Sequence, residues 1–441
     1  MMIKKVFKGM IYLLSLGLYS LNADAQQTLS LHQAIDMSIK NSNQLKVSKA
    51  KIDMATANLI AANNNSLPNF NVSAAYLRLL QPNIDLAYKS GNAQGGTQPA
   101  ATPTVHQATY AIANLSYPIY AGGKIKYGIE SAKYLQQAAM LDAENDKDAI
   151  ALNAINAFIN IYKAQLTVGI LKKNLAAAQL RDSSFSRLEQ NGIIPRNDLL
   201  KTELQTSSIE LNLLEAQSNV ELAAVNLNLM LGLKGNDIPA LDTAGLSLIN
   251  VQTFDDYQLK ALQARRDIAA LAIRKKAAET GIKSAKADGL PTIALTGGYI
   301  AAYVPKFITI TNAINAGVGV QYNLSSLWKA NSKLAEAKAR EAELMADQQM
   351  LNDAIIYQVN QAYSTFTLST KKIEVYTKAA AQAAENYRIT KNKYDNSLVT
   401  VTELLDADVA NQQALLNVTL AKADQVAAYN KLLQTAGILK Y

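Results

Sequence analysis

Residues 290–299 read LPTIALTGGY, and residues 67–76, 223 positions earlier, read LPNFNVSAAY. Both have a Leu-Pro step, an alternation of apolar with small or polar residues, and a closing tyrosine. Each stretch follows a helix-like run. Proline stops a helix and disfavours helical geometry in the residue before it, so Pro68 and Pro291 mark helix-to-strand transitions. A chain that changes period twice in the same way reads as an internal repeat, and the rest of the sequence is divided accordingly.

At a shift of 205, LEQNGIIPRNDLL (188–200) matches the segment around YDNSLVTVTELL (394–405), with Leu199-Leu200 over Leu404-Leu405. The register holds to Leu231-Gly232-Leu233 over Ala436-Gly437-Ile438. Towards the N-terminus the offset grows because the first half carries a longer connection, residues 81–104, rich in Gly, Pro, Gln and Thr and read as an exposed loop. The expected layout is a first repeat over 26–233, with strands at about 68–80 and 105–118 and helices over 124–190 and 195–231. A connecting segment, 234–255, follows. The second repeat, 256–441, has strands at about 291–304 and 310–324 and helices over 329–393 and 398–438. Helical runs over 30–64 and 256–288 lead into the two halves.

The strands are two-faced. Phe70, Val72, Ala74 and Tyr76 alternate with Asn69, Asn71, Ser73 and Ala75, and Ile310, Ile314, Val318 and Val320 keep one phase opposite Thr311, Asn315, Gly317 and Gly319. A half-buried soluble sheet gives this pattern too. Here each run is about 12 residues, enough for the 9–11 of a tilted transmembrane strand, and no nearby helical run has spare apolar surface to cover the sheet. Four strands cannot close a barrel, and in lipid only closed barrels pair every backbone group. The chain is therefore expected to pool strands with copies of itself.

Composition narrows the function. Residues 1–25 carry Lys4, Lys5 and Lys8, an apolar core and Ala23-Asp24-Ala25, the pattern of a secretory signal peptide. Cysteine is absent, so packing or oligomerisation takes the place of disulfides. The net charge of +8 is spread along the chain without a basic patch, which argues against nucleic acid. The two histidines, His32 and His106, read as surface residues. Gly122-Gly123-Lys124 lacks the spacing of a phosphate loop, and DAENDKDAI (142–150) lacks that of a calcium loop. No catalytic residue, cofactor or metal site is expected.

In order, duplication and spacing, LSLHQAIDMSIKNSNQL (29–45), the Leu-Pro strand entries, YPIYAGGK (117–124), NGIIPRNDLL (191–200) and SLVTVTELLDAD (397–408) resemble the TolC-like outer-membrane efflux proteins over essentially the whole chain after residue 25. The resemblance implies a mainly α protein with transmembrane β-strands. Four strands per chain would enter a trimeric 12-strand outer-membrane barrel, continued by a coiled-coil helical barrel through the periplasm. It implies a passive exit duct working with a periplasmic adaptor and an inner-membrane pump, either proton-driven or of the ABC type. Glu403 and Asp406 match the family's acidic gate, and Asp198 and Tyr394 match a closed-state latch. Val399 stands where some members have an arginine. The turns Gly192-Ile193-Ile194 and Ser397-Leu398-Val399 match adaptor-docking tips; a local staple over the helix ends is the other reading of their apolar residues. The alternatives are a periplasmic coiled-coil scaffold and a surface adhesin built on the 81–104 loop.

Overall fold

The computed structural model describes residues 28–80, 105–234, 237–243, 251–305, 307–327 and 331–441. The expected signal peptide, the 81–104 connection, residues 235–236 and 244–250 of the connecting segment, and Trp328, which the sequence suggests for a membrane interface, lie outside the described residues. The elements in chain order are β1 (Leu29–Ser30), α1 (Leu31–Asn41), α2 (Asn43–Asn64), β2 (Asn69–Arg78), β3 (Gln107–Tyr120), α3 (Lys124–Gln190) and α4 (Arg196–Leu231). They continue with β4 (Leu241–Asp242), α5 (Phe254–Ala264), α6 (Arg266–Ala287), β5 (Thr292–Val304), β6 (Ile308–Gln321), α7 (Ser332–Asp395) and α8 (Val401–Thr435). Two compact units result: Met1–Ser48, Ala143–Arg266 and Leu351–Tyr441 form one, and Lys49–Asp142 with Asp267–Met350 the other. Each unit draws on both halves of the sequence, so compactness does not divide the chain where the sequence similarity does.

The first unit is helical. Between residues 150 and 161, α3 buries Ala151, Ala154, Ile155, Phe158, Ile159 and Ile161, a broad apolar face, while Asn153 and Asn160 on the opposite side stay exposed. On one side Phe158 and Ile161 pack with Ala34 of α1 and Ala224, Leu227 and Leu231 of α4. On the other, Ile155 and Ile159 pack with Ile35 and with Ala423 of α8. In α7 the buried residues are Ile355, Val359, Ala362, Phe366 and Ser369. Their alternating steps of four and three are the seam spacing of a coiled coil.

Two of the expected helices are each interrupted once. The run over 30–64 breaks at Ser42, whose hydroxyl accepts from the Leu45 N–H at 3.3 Å and so caps α2 as α1 ends. The run over 256–288 breaks at Arg265. A left-handed glycine abuts each break. Gly232 ends α4 at φ 71°, and a Cβ there would meet the Asn41 side chain at 2.7 Å; Gly437, beyond α8 at φ 69°, would meet the Arg265 backbone nitrogen at 3.0 Å. The Asn41 amide donates to the Leu231 carbonyl at 2.6 Å, using an acceptor that the end of α4 leaves free.

The second unit holds an antiparallel sheet in the order β2-β3-β5-β6. Pro68 lies one residue before β2 and Pro291 one residue before β5, each just after a turn in which a leucine N–H bonds three residues back (Leu67 to Asn64, Leu290 to Ala287). The two exits from the sheet differ. After β3 the chain turns through Gly122 and Gly123, at φ 62° and 89°, and a Cβ on Gly122 would strike Leu290 at 2.7 Å. After β6 no glycine pair is present, and a short 3-10 turn, Leu324–Leu327, does the same task. The helix expected from 329 accordingly begins at Ser332.

Replacing Gly232 by alanine puts a Cβ into left-handed backbone, at about 1–2 kcal/mol, and displaces the Asn41 cap. A lower thermal midpoint in far-UV circular dichroism is the expected outcome, and an unchanged one would refute this account of the junction.

Candidate functional site

The two helical hairpin turns are built alike. After α3, the Ile193 N–H bonds the Leu188 carbonyl at 2.9 Å; after α7, the Leu398 N–H bonds the Lys393 carbonyl at 2.9 Å. The pivots are left-handed: Gly192 at φ 70° and Ser397 at φ 61°. Only the first is a glycine, so the second turn carries the strain of a Cβ in that region. At each turn one apolar residue faces water and the next folds under. Ile193 and Leu398 are 66% and 72% exposed, while Ile194 and Val399 are half-buried. Ile194 packs on a buried group made of Phe185, Leu199, Val401 and Leu405. The staple and the exposed surface are thus different residues of one turn.

Glu403 and Asp406 both lie exposed near the start of α8, three residues apart on one face. Glu403 also has a local task that the sequence signals as T-x-x-E from Thr400. Its N–H donates to the Thr400 hydroxyl at 3.3 Å, and its carboxylate accepts from the Thr400 N–H and hydroxyl at 3.3 and 3.2 Å. This capping box fixes the carboxylate at the helix start, where the helix dipole also favours it.

Asp198 and Tyr394 come close without hydrogen-bonding to each other. Burial first, then the Asp198 and Asp395 carboxylates, push the Tyr394 phenol above its ordinary value. The ring stacks on Phe185, with centroids 5.6 Å apart and planes 8° from parallel. Lys201 supplies the polar link instead, donating to Asp198 Oδ1 and Thr402 Oγ1, both at 3.3 Å, and so joins α4 to α8.

One pair escaped the sequence reading. Arg181 of α3 and Asp408 of α8 meet at 2.5 Å with side chains only 12% exposed. Their separation of 227 positions in sequence leaves no local signal. Removing one partner strands a buried charge at a cost of about 3–5 kcal/mol, whereas replacing both with apolar residues of similar size does not. Asp408→Ala should therefore lower the melting temperature strongly, and Arg181→Met with Asp408→Leu should recover most of it. A double variant as unstable as the single one would show that the pair is not what holds α3 to α8.

The sheet is the second feature. Its strand register sorts residues into rows on two faces. One face carries Phe70–Leu115, Val72–Ala113–Tyr299–Ile314, Tyr117–Leu295–Val318 and Tyr120–Ile293–Val320. Phe70, Val72, Ile314, Val318 and Val320 on it are each 65–79% exposed. The other face carries Asn69–Ser116–Thr296 and Asn71–Asn114–Asn315. Where the chain leaves and enters the sheet, the Asp288 carboxylate clasps two helix starts, Lys124 of α3 at 2.6 Å and Lys333 of α7 at 2.8 Å. The hydrogen bonds from these lysines hold Asp288 below the usual carboxylate range. A lowered folded value means that the clasp contributes stability above the ordinary value near pH 4 and loses it as pH falls through the lowered one. Asp288→Asn should melt below the wild type at pH 7, with the gap narrowing as pH drops below about 4. A gap independent of pH would refute the assignment.

Among the described residues no helix is long and apolar enough to cross a membrane, and no cluster of three or more His, Cys, Asp or Glu is placed to hold a metal. The described residues thus combine a β-sheet with one exposed apolar face and very long helices paired by hairpin tips. The chain belongs to the outer membrane efflux protein family, whose model matches residues 34–233 and 259–438. Its place is the outer membrane, extending into the periplasm. It is 24% identical over 406 residues to the outer membrane efflux protein BepC of Brucella suis biovar 1 (strain 1330), covering 87% of this chain and 85% of BepC. Its fold is similar to that of CusC, with a TM-score of 0.78, 19% identity and 95% of each chain covered. It is also similar to the open state of the Neisseria gonorrhoeae MtrE outer membrane channel, with a TM-score of 0.72, 17% identity and 93% and 89% of the two chains covered.

Proposed function

We propose that three copies of this chain join their sheets into one closed 12-strand barrel across the outer membrane and their helices into a periplasmic tunnel. The assembly is the passive exit duct of a tripartite efflux or type I secretion system. The sheet carries this reading. Among the described residues, its end strands, β2 and β6, each leave one edge unpaired, and its apolar face is exposed. From the row of Tyr303 to that of Tyr120 and Ile293 is ten residues, about 34 Å along a strand, or about 25 Å of height at the usual barrel tilt. Tyrosines at both ends of that band suit the two membrane interfaces.

The helices support the same assembly. Besides its buried stripe, α4 carries a second one, Leu204, Leu211, Leu214, Leu222 and Leu229, each more than half exposed. A helix apolar on two faces needs a partner on each, and every leucine covered adds about 1.5–3 kcal/mol. A neighbouring copy is the partner this reading supplies. Matching glycine-abutted breaks at Gly232 and Gly437 are in keeping with a duplicated chain, each half supplying two strands.

In this reading Glu403 and Asp406 from each copy surround the axis at the closed tip and attract cations there. The Phe185–Tyr394 stack and the Lys201 link to Asp198 and Thr402 hold the closed position without the arginine that Val399 replaces. Exposed Ile193 and Leu398, presented by the turns at Gly192 and Ser397, dock a periplasmic adaptor, which connects the duct to a proton-driven or ABC-type inner-membrane pump. The energy comes from those partners. The open state described for MtrE supports a tip that moves.

Purified protein in planar bilayers should give cation-preferring channels, and Glu403→Ala with Asp406→Ala should weaken both that preference and block by polycations. Unaltered selectivity would reject the gate assignment. No conductance at all, together with fractionation away from membranes, would favour a periplasmic scaffold, and fractionation with the outer membrane but no conductance a surface adhesin.

A further inference from the structure

One row of the sheet runs across all four strands as Asn71–Asn114–Gly298–Asn315. It lies on the face opposite Phe70, Val72 and Ile314. The glycine is required by its neighbours: a Cβ on Gly298 would lie 2.9 Å from Asn315 Oδ1, 3.3 Å from Asn114 Oδ1 and 3.0 Å from the Ala113 carbonyl oxygen. The two carboxamides therefore lean over the glycine from either side and close the gap that its missing side chain leaves. Along the same face the adjacent row, Asn69–Ser116–Thr296–Gly317, continues the uncharged polar surface. Arg78, the last residue of β2, is the only charged residue in the four strands.

We propose that this row is a carboxamide collar that touches passing solutes by hydrogen bonding, so that the barrel is indifferent to their charge. The proposal rests on the sheet being a barrel wall with its polar face inward. A carboxamide offers donors and an acceptor without a net charge, so it pairs with the hydroxyl, amide, ammonium and carboxylate groups of polar organic solutes alike. With three asparagines per chain, a trimer presents nine such groups at one level. Discrimination by charge then belongs to the acidic tip, and the barrel wall lets through whatever the tip has admitted.

The chain has no cysteine, so a single introduced thiol is a unique reporter. Asn114→Cys, Asn315→Cys and Asn71→Cys would each be made in the full chain, reconstituted in planar bilayers and exposed to anionic and cationic methanethiosulfonate reagents. Val318→Cys serves as the control on the apolar face. Each asparagine position should react and lower single-channel conductance stepwise. The reversal potential should move towards cations with the anionic reagent and towards anions with the cationic one, while Val318→Cys stays silent. Unmodified Asn71→Cys, Asn114→Cys and Asn315→Cys channels should keep the selectivity of the wild type. Conducting channels in which the three thiols are unreactive, or react without changing conductance or selectivity, would overturn the collar. A wild-type protein that does not conduct would instead overturn the duct itself.

Discussion

Backbone hydrogen bonding at the edges of one four-stranded sheet constrains everything else in this protein. Three ladders, β2–β3, β3–β5 and β5–β6, are satisfied within the chain, and among the described residues nothing pairs with the outer edges of β2 and β6. Unpaired edges invite aggregation in water and are forbidden in lipid. The amino-acid content of the sheet leaves little choice between those settings, because one face is covered with exposed Phe, Val, Ile, Leu and Tyr. The long helices answer the same constraint: among the described residues α4 has more apolar surface than is covered, just as the sheet does. Each part is incomplete in a way that a further copy of the same part would complete.

Much of the fold was legible because it rests on period and punctuation. The alternation starting at Pro68 and Pro291, the unbroken helical spacing from 124 to 190, and the NG and NS pairs at the hairpin turns are local signals, and each falls at an element boundary. Missed features lack such a signal or compete with a stronger one. The breaks at Ser42 and Arg265 contain neither proline nor glycine; the glycines that abut them are distant in sequence. The 3-10 turn at Leu324–Leu327 replaces a glycine pair with ordinary residues, so nothing in the composition announces it.

The candidate site was legible in part. Glu403 and Asp406 are exposed on one face, but the capping box that occupies Glu403 was written in the sequence as Thr400 and Glu403 and passed over for the gate. Asp198 and Tyr394 were paired by resemblance, whereas in the structure Tyr394 stacks on Phe185 and Asp198 accepts a hydrogen bond from Lys201. Such substitutions are invisible in one sequence, since a lysine three residues after an aspartate reads as an ordinary helix-surface pair. The Arg181–Asp408 contact shows the limit most clearly: its chemistry is plain only once α3 and α8 are side by side.

The order of strands also sets a schedule for making the protein. Strands β2 and β3 pair as neighbours in the chain, and so do β5 and β6, but β3 must wait for β5, which follows the whole of α3, α4, α5 and α6. Contacts so far apart in sequence form slowly, because a very long loop has to close first. Until then the first hairpin carries its apolar residues uncovered through synthesis and passage across the periplasm. Late closure of that kind leaves an apolar hairpin with unpaired edges exposed to others like it, which is the general condition under which folding competes with aggregation.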